Sequence, residues 1–277
     1  MTKSKAELAS EQAAYWNGPG GKGWHASLER IERSIGEFGR LALEAAAVRP
    51  GESVMDVGCG AGGTTAVLAA TAGSVLGVDI SEELIAAARA RDIANATFVV
   101  ADAATHPFDA GAYDLVFSRF GVMFFADPVP AFQNLRRALK PTGRLVFVCW
   151  RTPQENPWGT TPARAAAPFL PPLSRPGPED PGQFAFGDRV RVERILTGAG
   201  FRALSFEPLD RPVFMGQSIA DILENAGRFG PLARAFADAT PDQIAKAKVA
   251  IAETLKPHET PDGVRLPGAC WLVRATP

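Results

Sequence analysis

Residues 50–150 alternate short apolar runs with amphipathic stretches, the pattern of a parallel sheet with helices on both faces. A hydroxyl cap and two acids open one helix at Ser81, and Asp127 with Pro128 opens another. Because crossovers between parallel strands are right-handed, the sheet is expected to be doubly wound. Strands are predicted at Ser53–Val57, Ser74–Asp79, Thr97–Val100, Tyr113–Ser118 and Leu145–Trp150.

The N-terminal part differs from this alternation. Leu28, Ile31, Ile35, Phe38 and Leu41 recur at helical spacing, which predicts an amphipathic helix over 27–48. A glycine-rich loop flanked by aromatics, residues 15–24, precedes that helix. Glycines give a loop mobility and aromatics exclude water, so we predict a lid in residues 1–48.

The pattern changes again after residue 150. Nine prolines between 151 and 186 predict an irregular insertion, because proline blocks helix interiors and regular sheet. A helix over 190–199, a strand over 201–214 that breaks near Pro208, and a last strand at Cys270–Arg274 follow. Residues 218–256 are expected to be helical in two or three pieces, forming either a dimer face or part of a cap. The predicted division is 1–48 as the lid, 49–150 as the core, 151–188 as the proline-rich cap insertion, and 189–277 as the rest of the sheet.

Composition and charge exclude several classes of function. The 29 Lys and Arg residues balance 30 Asp and Glu residues without a basic stripe, so no nucleic-acid partner is expected. The three cysteines are far apart, which indicates reduced thiols and a cytoplasmic protein. The three histidines are scattered, so no metal site is expected. Neither a signal peptide nor an apolar run of about 20 residues is present, so no membrane association is expected.

The candidate binding site is the glycine-rich turn over 56–63, between the first predicted strand and the next helix. Its glycines let the backbone approach a ligand, and the helix N-terminus offers unpaired N–H groups. Gly58, Gly60 and Gly63 also satisfy the G-x-G-x-x-G pattern of NAD-binding proteins, which is a weak signal alone. Asp56 favours a different ligand, because a carboxylate repels a pyrophosphate but attracts the ammonium and sulfonium of S-adenosylmethionine.

Two more acids end neighbouring predicted strands. Asp79 ends the second strand, where a carboxylate accepts hydrogen bonds from ribose hydroxyls, and Asp102 ends the third, within reach of an adenine amino group. Ligands of such sheets bind at the carboxyl ends of the strands. Three acids in this arrangement favour S-adenosylmethionine over NAD.

The run over 54–62 resembles the first motif of class I S-adenosylmethionine-dependent methyltransferases. Residues 77–81, 101–103, 113–118 and 139–145 are similar to the later motifs, in the same order. Among these enzymes the chain most resembles the ubiquinone/menaquinone-biosynthesis (UbiE-like) small-molecule group. The resemblance implies an α/β, Rossmann-like doubly wound sheet of seven strands, mostly parallel with the last strand antiparallel, between an N-terminal helical lid and a C-terminal cap insertion. The expected cofactor contacts are Asp56, Gly58, Cys59, Gly60, Gly62, Asp79, Ile80, Asp102, Ala103, Ser118 through its backbone, and Trp24.

The resulting hypothesis is a methyltransferase (EC 2.1.1.-) that acts on a small apolar or aromatic molecule by in-line transfer. Proximity supplies most of the rate, because the sulfonium is already a strong electrophile. His25 and Tyr15 are candidates for a general base, although a surface or capping role for His25 is favoured. His106 is more typical of a solvated turn. An NAD-dependent oxidoreductase and a non-catalytic cofactor-binding regulator stay open as alternatives.

Overall fold

The computed structural model describes residues 3–172, 177, 179–227 and 230–277. Within them, eight strands form one sheet in the order β3-β2-β1-β4-β5-β8-β6, with the two-residue β7 paired to β8. Neighbours from β3 to β5 are parallel, whereas β8 runs antiparallel to both β5 and β6. The strands are β1 (Ser53–Val57), β2 (Ser74–Asp79), β3 (Ala96–Val100), β4 (Tyr113–Arg119), β5 (Leu139–Trp150), β6 (Arg202–Gly216), β7 (Glu259–Thr260) and β8 (Gly263–Thr276).

This sheet confirms the predicted fold class, a mostly parallel Rossmann-like sheet with one antiparallel strand. The short β7 is the only addition to the seven strands expected in the described residues. The helices are α1 (Lys5–Trp16), α2 (Pro19–His25), α3 (Leu28–Ala46), α4 (Gly63–Ala69), α5 (Glu82–Arg89), α6 (Pro128–Ala138), α7 (Pro157–Ala166), α8 (Arg189–Gly198), α9 (Ile219–Asn225), α10 (Gly230–Ala237) and α11 (Pro241–Leu255).

The expected loop over 15–24 is wrong, because α1 extends through Trp16 and α2 begins at Pro19. Proline suits the first helical position, which explains the start of α2. The glycines serve close packing rather than mobility. A Cβ on Gly21 would collide with the carbonyl oxygen of Trp16 and come within 2.9 Å of Ser81 Oγ.

The proline-rich insertion is also more regular than expected. Helix α7 contains Pro162 within it, although its missing N–H removes one helical hydrogen bond. Packing of α7 against α11 compensates, with Ala166 and Ile251 in a shared apolar cluster. Pro176 and Pro178 lie outside the described residues.

Strand β6 continues through Pro208, where a break was predicted. Its register instead shifts between Arg202 and Ser205 and again near its end. Because β6 is the outer strand, an N–H that points away from β8 has no ladder partner to lose, and proline is tolerated there.

The main core lies on both faces of the sheet, around Phe117, Phe147 and Leu145. A second apolar cluster joins α7, α9 and α11 to the start of β8. Cys59, Cys149 and Cys270 are buried free thiols. Among the helices of the described residues, none combines the length and apolarity needed to cross a bilayer.

Candidate functional site

The predicted acids lie together at the carboxyl edge of the sheet. Asp56 pairs in register with Gly77 of β2, and two residues later Asp79 ends that strand. Asp79 in turn pairs with Val100, the last residue of β3, and Asp102 follows two residues beyond. The acids therefore form a staircase along three adjacent strand ends, as the sequence predicted.

Asp56 is buried and only half satisfied. Its side chain is 1% exposed, and Oδ2 accepts a hydrogen bond of 2.7 Å from Thr65 Oγ1 on α4. Its Oδ1 has no hydrogen-bond partner within the described residues. Burial raises the pKa of Asp56 to about 6, against the opposing effects of Thr65 and of the positive charge on Arg119. A ligand that brings a positive charge to Oδ1 would satisfy this carboxylate.

Asp79 shapes the glycine turn from the side. Its Oδ2 accepts a hydrogen bond from Gly60 N (2.8 Å), and its Oδ1 accepts one from Ser81 N (2.9 Å). Burial raises the pKa of Asp79, although backbone donors oppose the shift. Two carboxyl groups with raised pKa values thus lie beside one glycine turn, which marks a candidate binding site.

Gly58 and Gly121 bring the turns after β1 and β4 into direct contact. A Cβ on Gly58 would lie 2.8 Å from the Gly121 Cα, and its φ of +71° is also unfavourable for other residues. Ser118 locks the same junction, because its hydroxyl donates to Val57 O (2.7 Å) and accepts from Gly121 N (3.2 Å). Phe120 takes a φ of +61° between them, a strained conformation typical of functional turns.

The other predicted cofactor contacts line this turn or its neighbour. Gly62 has a φ of +76° and caps α4, while Cys59 is buried beside it, where desolvation raises its pKa. Ala104 N donates to Asp102 Oδ1 (2.9 Å), and Ala103 O accepts from Asn134 Nδ2 (3.1 Å). These contacts fix the turn that follows β3.

The N-terminal helices lie over the glycine turn. Asn17 Nδ2 donates to Ile80 O (2.9 Å), and Asn17 Oδ1 accepts from Glu82 N (3.0 Å). The side-chain amide of Asn17 therefore bonds to the backbone on both sides of Ser81, at the start of α5. The Trp24 indole nitrogen lies 3.9 Å from where a Cβ on Gly60 would stand. These contacts place Trp24 beside the predicted cofactor site.

An aromatic roof, defined here as Trp16, Trp24 and Phe124, spans the edge above β1 and β4. The Trp16 ring centroid lies 5.9 Å from that of Trp24 and 5.1 Å from that of Phe124, both edge-to-face. Phe124 follows β4 in a short 3-10 helix. The roof therefore joins the N-terminal helices to the far side of the site.

The candidate bases each have a local partner. His25 Nδ1 pairs with Glu83 Oε1 at 2.9 Å, and its side chain is partly exposed. The Tyr15 ring contacts the Trp16 ring edge-to-face and packs against Gly20. His106 packs against the Phe108 ring. The roles of these residues stay predictions.

A buried aromatic cluster supports the ends of β4 and β5. The Phe120 and Trp150 rings stack at 4.7 Å, and Trp150 also contacts Phe38 of α3 and Trp158 of α7. Trp150 is buried in the core, and Phe186 of the insertion packs in the main core. Sequence reasoning left this cluster unassigned, because its members come from four separated segments.

Comparison with known proteins identifies the family. A methyltransferase domain model matches residues 55–147. The demethylmenaquinone methyltransferase of Beutenbergia cavernae is 30% identical over 180 residues, which cover 61% of this chain and 74% of that protein. The chain belongs to the class I S-adenosylmethionine-dependent methyltransferases. The chloroplastic tocopherol O-methyltransferase of Arabidopsis thaliana is 36% identical over 107 residues, 36% of this chain and 30% of the relative.

Solved structures agree on the fold of this methyltransferase. The YcgJ protein of Bacillus subtilis superposes with a TM-score of 0.58 at 16% identity, covering 86% of this chain and 97% of that structure. A structure from Bacillus halodurans C-125 gives a TM-score of 0.55 at 18% identity, over 86% of this chain and 97% of that chain. At these identities the likeness concerns the fold alone.

Two structurally important residues were not predicted from the sequence. Thr65 satisfies Asp56, and Asn17 holds the N-terminal helices on α5. No local pattern signals either role. Gly121, which meets the glycine turn, belongs to the segment 118–121 that the sequence places at the ligand edge of the fourth strand.

Proposed function

We propose that this methyltransferase transfers the methyl group of S-adenosylmethionine to a small apolar or aromatic molecule. The half-satisfied Asp56 carboxylate, at the end of the staircase of acids, carries the cofactor assignment. The residues fit the group, because a buried acceptor without a donor suits an α-ammonium. Bound S-adenosylmethionine supplies a methyl group on a positively charged sulfur.

The staircase of acids sets the orientation of the bound cofactor. Asp102 accepts from the adenine amino group and Asp79 from the ribose hydroxyls, while Asp56 binds the amino-acid end. Gly58, Gly60 and Gly62 let the backbone approach the ligand, and Cys59, Ile80, Ala103, Ser118 and Trp24 complete the proposed contacts. This order follows the strand order of the sheet, since β3, β2 and β1 are adjacent.

The protein contributes orientation and a dry site. The aromatic roof of Trp16, Trp24 and Phe124 bounds the site above β1 and β4, which supports a lid role for the N-terminal helices. Aligning two reactants contributes about 7–11 kcal/mol of barrier reduction. Since His25 is bound to Glu83 in an exposed pair, orientation rather than a histidine base is proposed to dominate.

Aromatic surfaces also support the acceptor class. The rings of the roof, Trp16, Trp24 and Phe124, bound the site, and aromatic rings favour flat apolar partners. The names of two relatives, demethylmenaquinone and tocopherol methyltransferases, point to ring-bearing acceptors. The proposed activity is methyl transfer within EC 2.1.1 to such an acceptor, without a nucleic-acid partner. The hypothesis also includes a cytoplasmic location and a homodimer formed through residues 218–256.

Calorimetry tests the cofactor assignment first. S-adenosylmethionine and S-adenosylhomocysteine are expected to bind, whereas NAD is not. Asp79→Asn should weaken binding of S-adenosylhomocysteine by about 10- to 100-fold, because hydrogen bonds to a charged acceptor contribute about 1.5–3 kcal/mol. Asp109→Asn, an exposed acid in the loop before β4, is the control and should bind normally.

Turnover is the second stage. Methyl-labelled cofactor with a panel of hydroquinones and phenols should give labelled product and S-adenosylhomocysteine. Binding of NAD without binding of either sulfur ligand would refute the cofactor assignment. Cofactor binding with transfer only to polar amines or nucleic acid would refute the acceptor class.

A further inference from the structure

Arg119 flanks Asp56 on the side opposite Asp79. Asp56 lies in register with Gly77 of β2 and with Phe117 of β4. Because side chains alternate along a strand, the residues two positions further share the face of Asp56. Those residues are Asp79 on β2 and Arg119 on β4. A guanidinium therefore stands at the carboxyl edge next to the buried carboxylate.

Helix α3 holds Arg119 from one side only. Arg119 Nη1 donates to Glu32 Oε2 at 2.8 Å. A Cβ on Gly39 would lie 2.7 Å from Arg119 Cδ and 3.1 Å from Nη1, so α3 passes close over the side chain. A guanidinium has five N–H donors, and within the described residues only Nη1 has an acceptor. The remaining donors are left for a ligand.

Exposure distinguishes the two partners of this pair. The Arg119 side chain is 18% exposed and that of Glu32 is 59% exposed. An exposed carboxylate contributes little to an ion pair, because water and salt screen its charge. Arg119 is thus a largely buried cation whose partner is weak. Its positive charge also lowers the pKa of Asp56, so the two groups interact electrostatically.

We propose that Arg119 binds the α-carboxylate at the amino-acid end of the cofactor, while Asp56 binds the α-ammonium. The inference rests on the proposed function. Guanidinium groups bind carboxylates in a two-donor fork, which fixes both position and angle. Asp56 and Arg119 form a receptor with both signs of charge, matched to an amino acid that carries both.

A purely structural role makes a different prediction. If Arg119 only fastened α3 through Glu32, removing either partner would have the same consequence. If Arg119 binds the ligand, Arg119→Gln alone should impair binding, and only of ligands that carry the carboxylate. Glu32→Gln is therefore the matched control.

The experiment measures binding of three ligands by calorimetry. Arg119→Gln should bind S-adenosylhomocysteine about 10- to 100-fold more weakly than the unsubstituted protein. Two other ligands lack the carboxylate: 5′-methylthioadenosine has no amino-acid part, and decarboxylated S-adenosylmethionine lacks only the carboxylate. For both, the affinity of Arg119→Gln should stay within about twofold of the affinity of the unsubstituted protein. Glu32→Gln should change each affinity by less than about threefold.

Several outcomes overturn the inference. They are an equal loss for all three ligands, equal losses in the two variants, or an unchanged affinity of Arg119→Gln for S-adenosylhomocysteine. If the glutamine variant does not fold, Arg119→Lys provides the same comparison, because lysine keeps the charge but not the two-donor fork. Its affinity for S-adenosylhomocysteine should fall by less than about 10- to 100-fold, and its affinities for the two ligands without the carboxylate should not fall. Failure of the unsubstituted protein to bind any sulfur ligand would instead refute the proposed function.

Discussion

Binding of S-adenosylhomocysteine should strengthen as the pH rises through about 6, with Asp56 as the group that titrates. The ligand carries an α-ammonium, which is bound by the ionised carboxylate. Burial raises the pKa of Asp56 to about 6, so the folded protein without ligand holds a proton there in mildly acidic solution. Binding below that pH must therefore release about one proton.

The magnitude follows from that pKa. About one tenth of Asp56 is ionised at pH 5 and about nine tenths at pH 7, which predicts about a tenfold gain in affinity between them. Calorimetry in two buffers of different ionisation enthalpy measures both the affinity and the protons released. Asp56→Asn should bind more weakly, with an affinity that varies little over this range, whereas Asp109→Asn should follow the unsubstituted protein.

The stability of the unliganded protein should move in the opposite direction. A carboxyl group whose pKa is raised from 3.8 by folding stabilises the fold when protonated. That contribution is full below pH 3.8 and is lost as the pH rises through about 6. Its size is about 3 kcal/mol, and Asp56→Asn should remove this part of the pH dependence in urea unfolding. Identical pH profiles for Asp56→Asn and the unsubstituted protein, in binding and in stability, would refute the reasoning.

Three further predictions concern the turn and the N-terminal helices. Gly58→Ala should destabilise the fold by about 2–5 kcal/mol in urea unfolding, because the new Cβ meets both a positive φ and a collision with Gly121. The control Gly111→Ala has a φ of +63° but open space around it, and it should destabilise the fold by only about 1–2 kcal/mol. Equal losses of stability would contradict the collision. Asn17→Ala should speed dissociation of S-adenosylhomocysteine about tenfold in stopped-flow measurements, because it releases the N-terminal helices from the start of α5. An unchanged rate would argue against a lid held by this amide. His25→Gln should lower the rate of methyl transfer at saturating cofactor by less than about fivefold, since it breaks only the exposed pair with Glu83. A loss of about three orders of magnitude would instead make His25 the general base.

The sheet and its acids were predictable because they depend on local patterns. Strand β1 ends at Val57 as expected, since an apolar run followed by glycines has few other solutions. Ser81 caps α5 by accepting from Leu84 N, a short-range contact. Asp56 and Asp79 then meet because parallel strands end at one edge. Each step needs only nearby residues and the general topology of α/β sheets.

The predictions that failed involved distant partners. Residues 15–24 suggested a mobile loop, yet Gly21 is required by the approach of Trp16 and Ser81. Pro162 argued against a helix, yet packing on α11 outweighs the lost hydrogen bond. Pro208 suggested a break, yet β6 is an outer strand with an unpaired side.

Over residues 50–150 the sequence alone determined the order of strands and helices, the glycine turn and the staircase of acids, because those follow from periodicity and capping within a few residues. The three-dimensional packing was needed to show that Asp56 keeps an oxygen without a donor, that Arg119 lies beside it, and that Asn17 secures the N-terminal helices. These features join residues far apart in the chain. Hydrogen bonding, burial and charge at such contacts depend on geometry that no local pattern encodes.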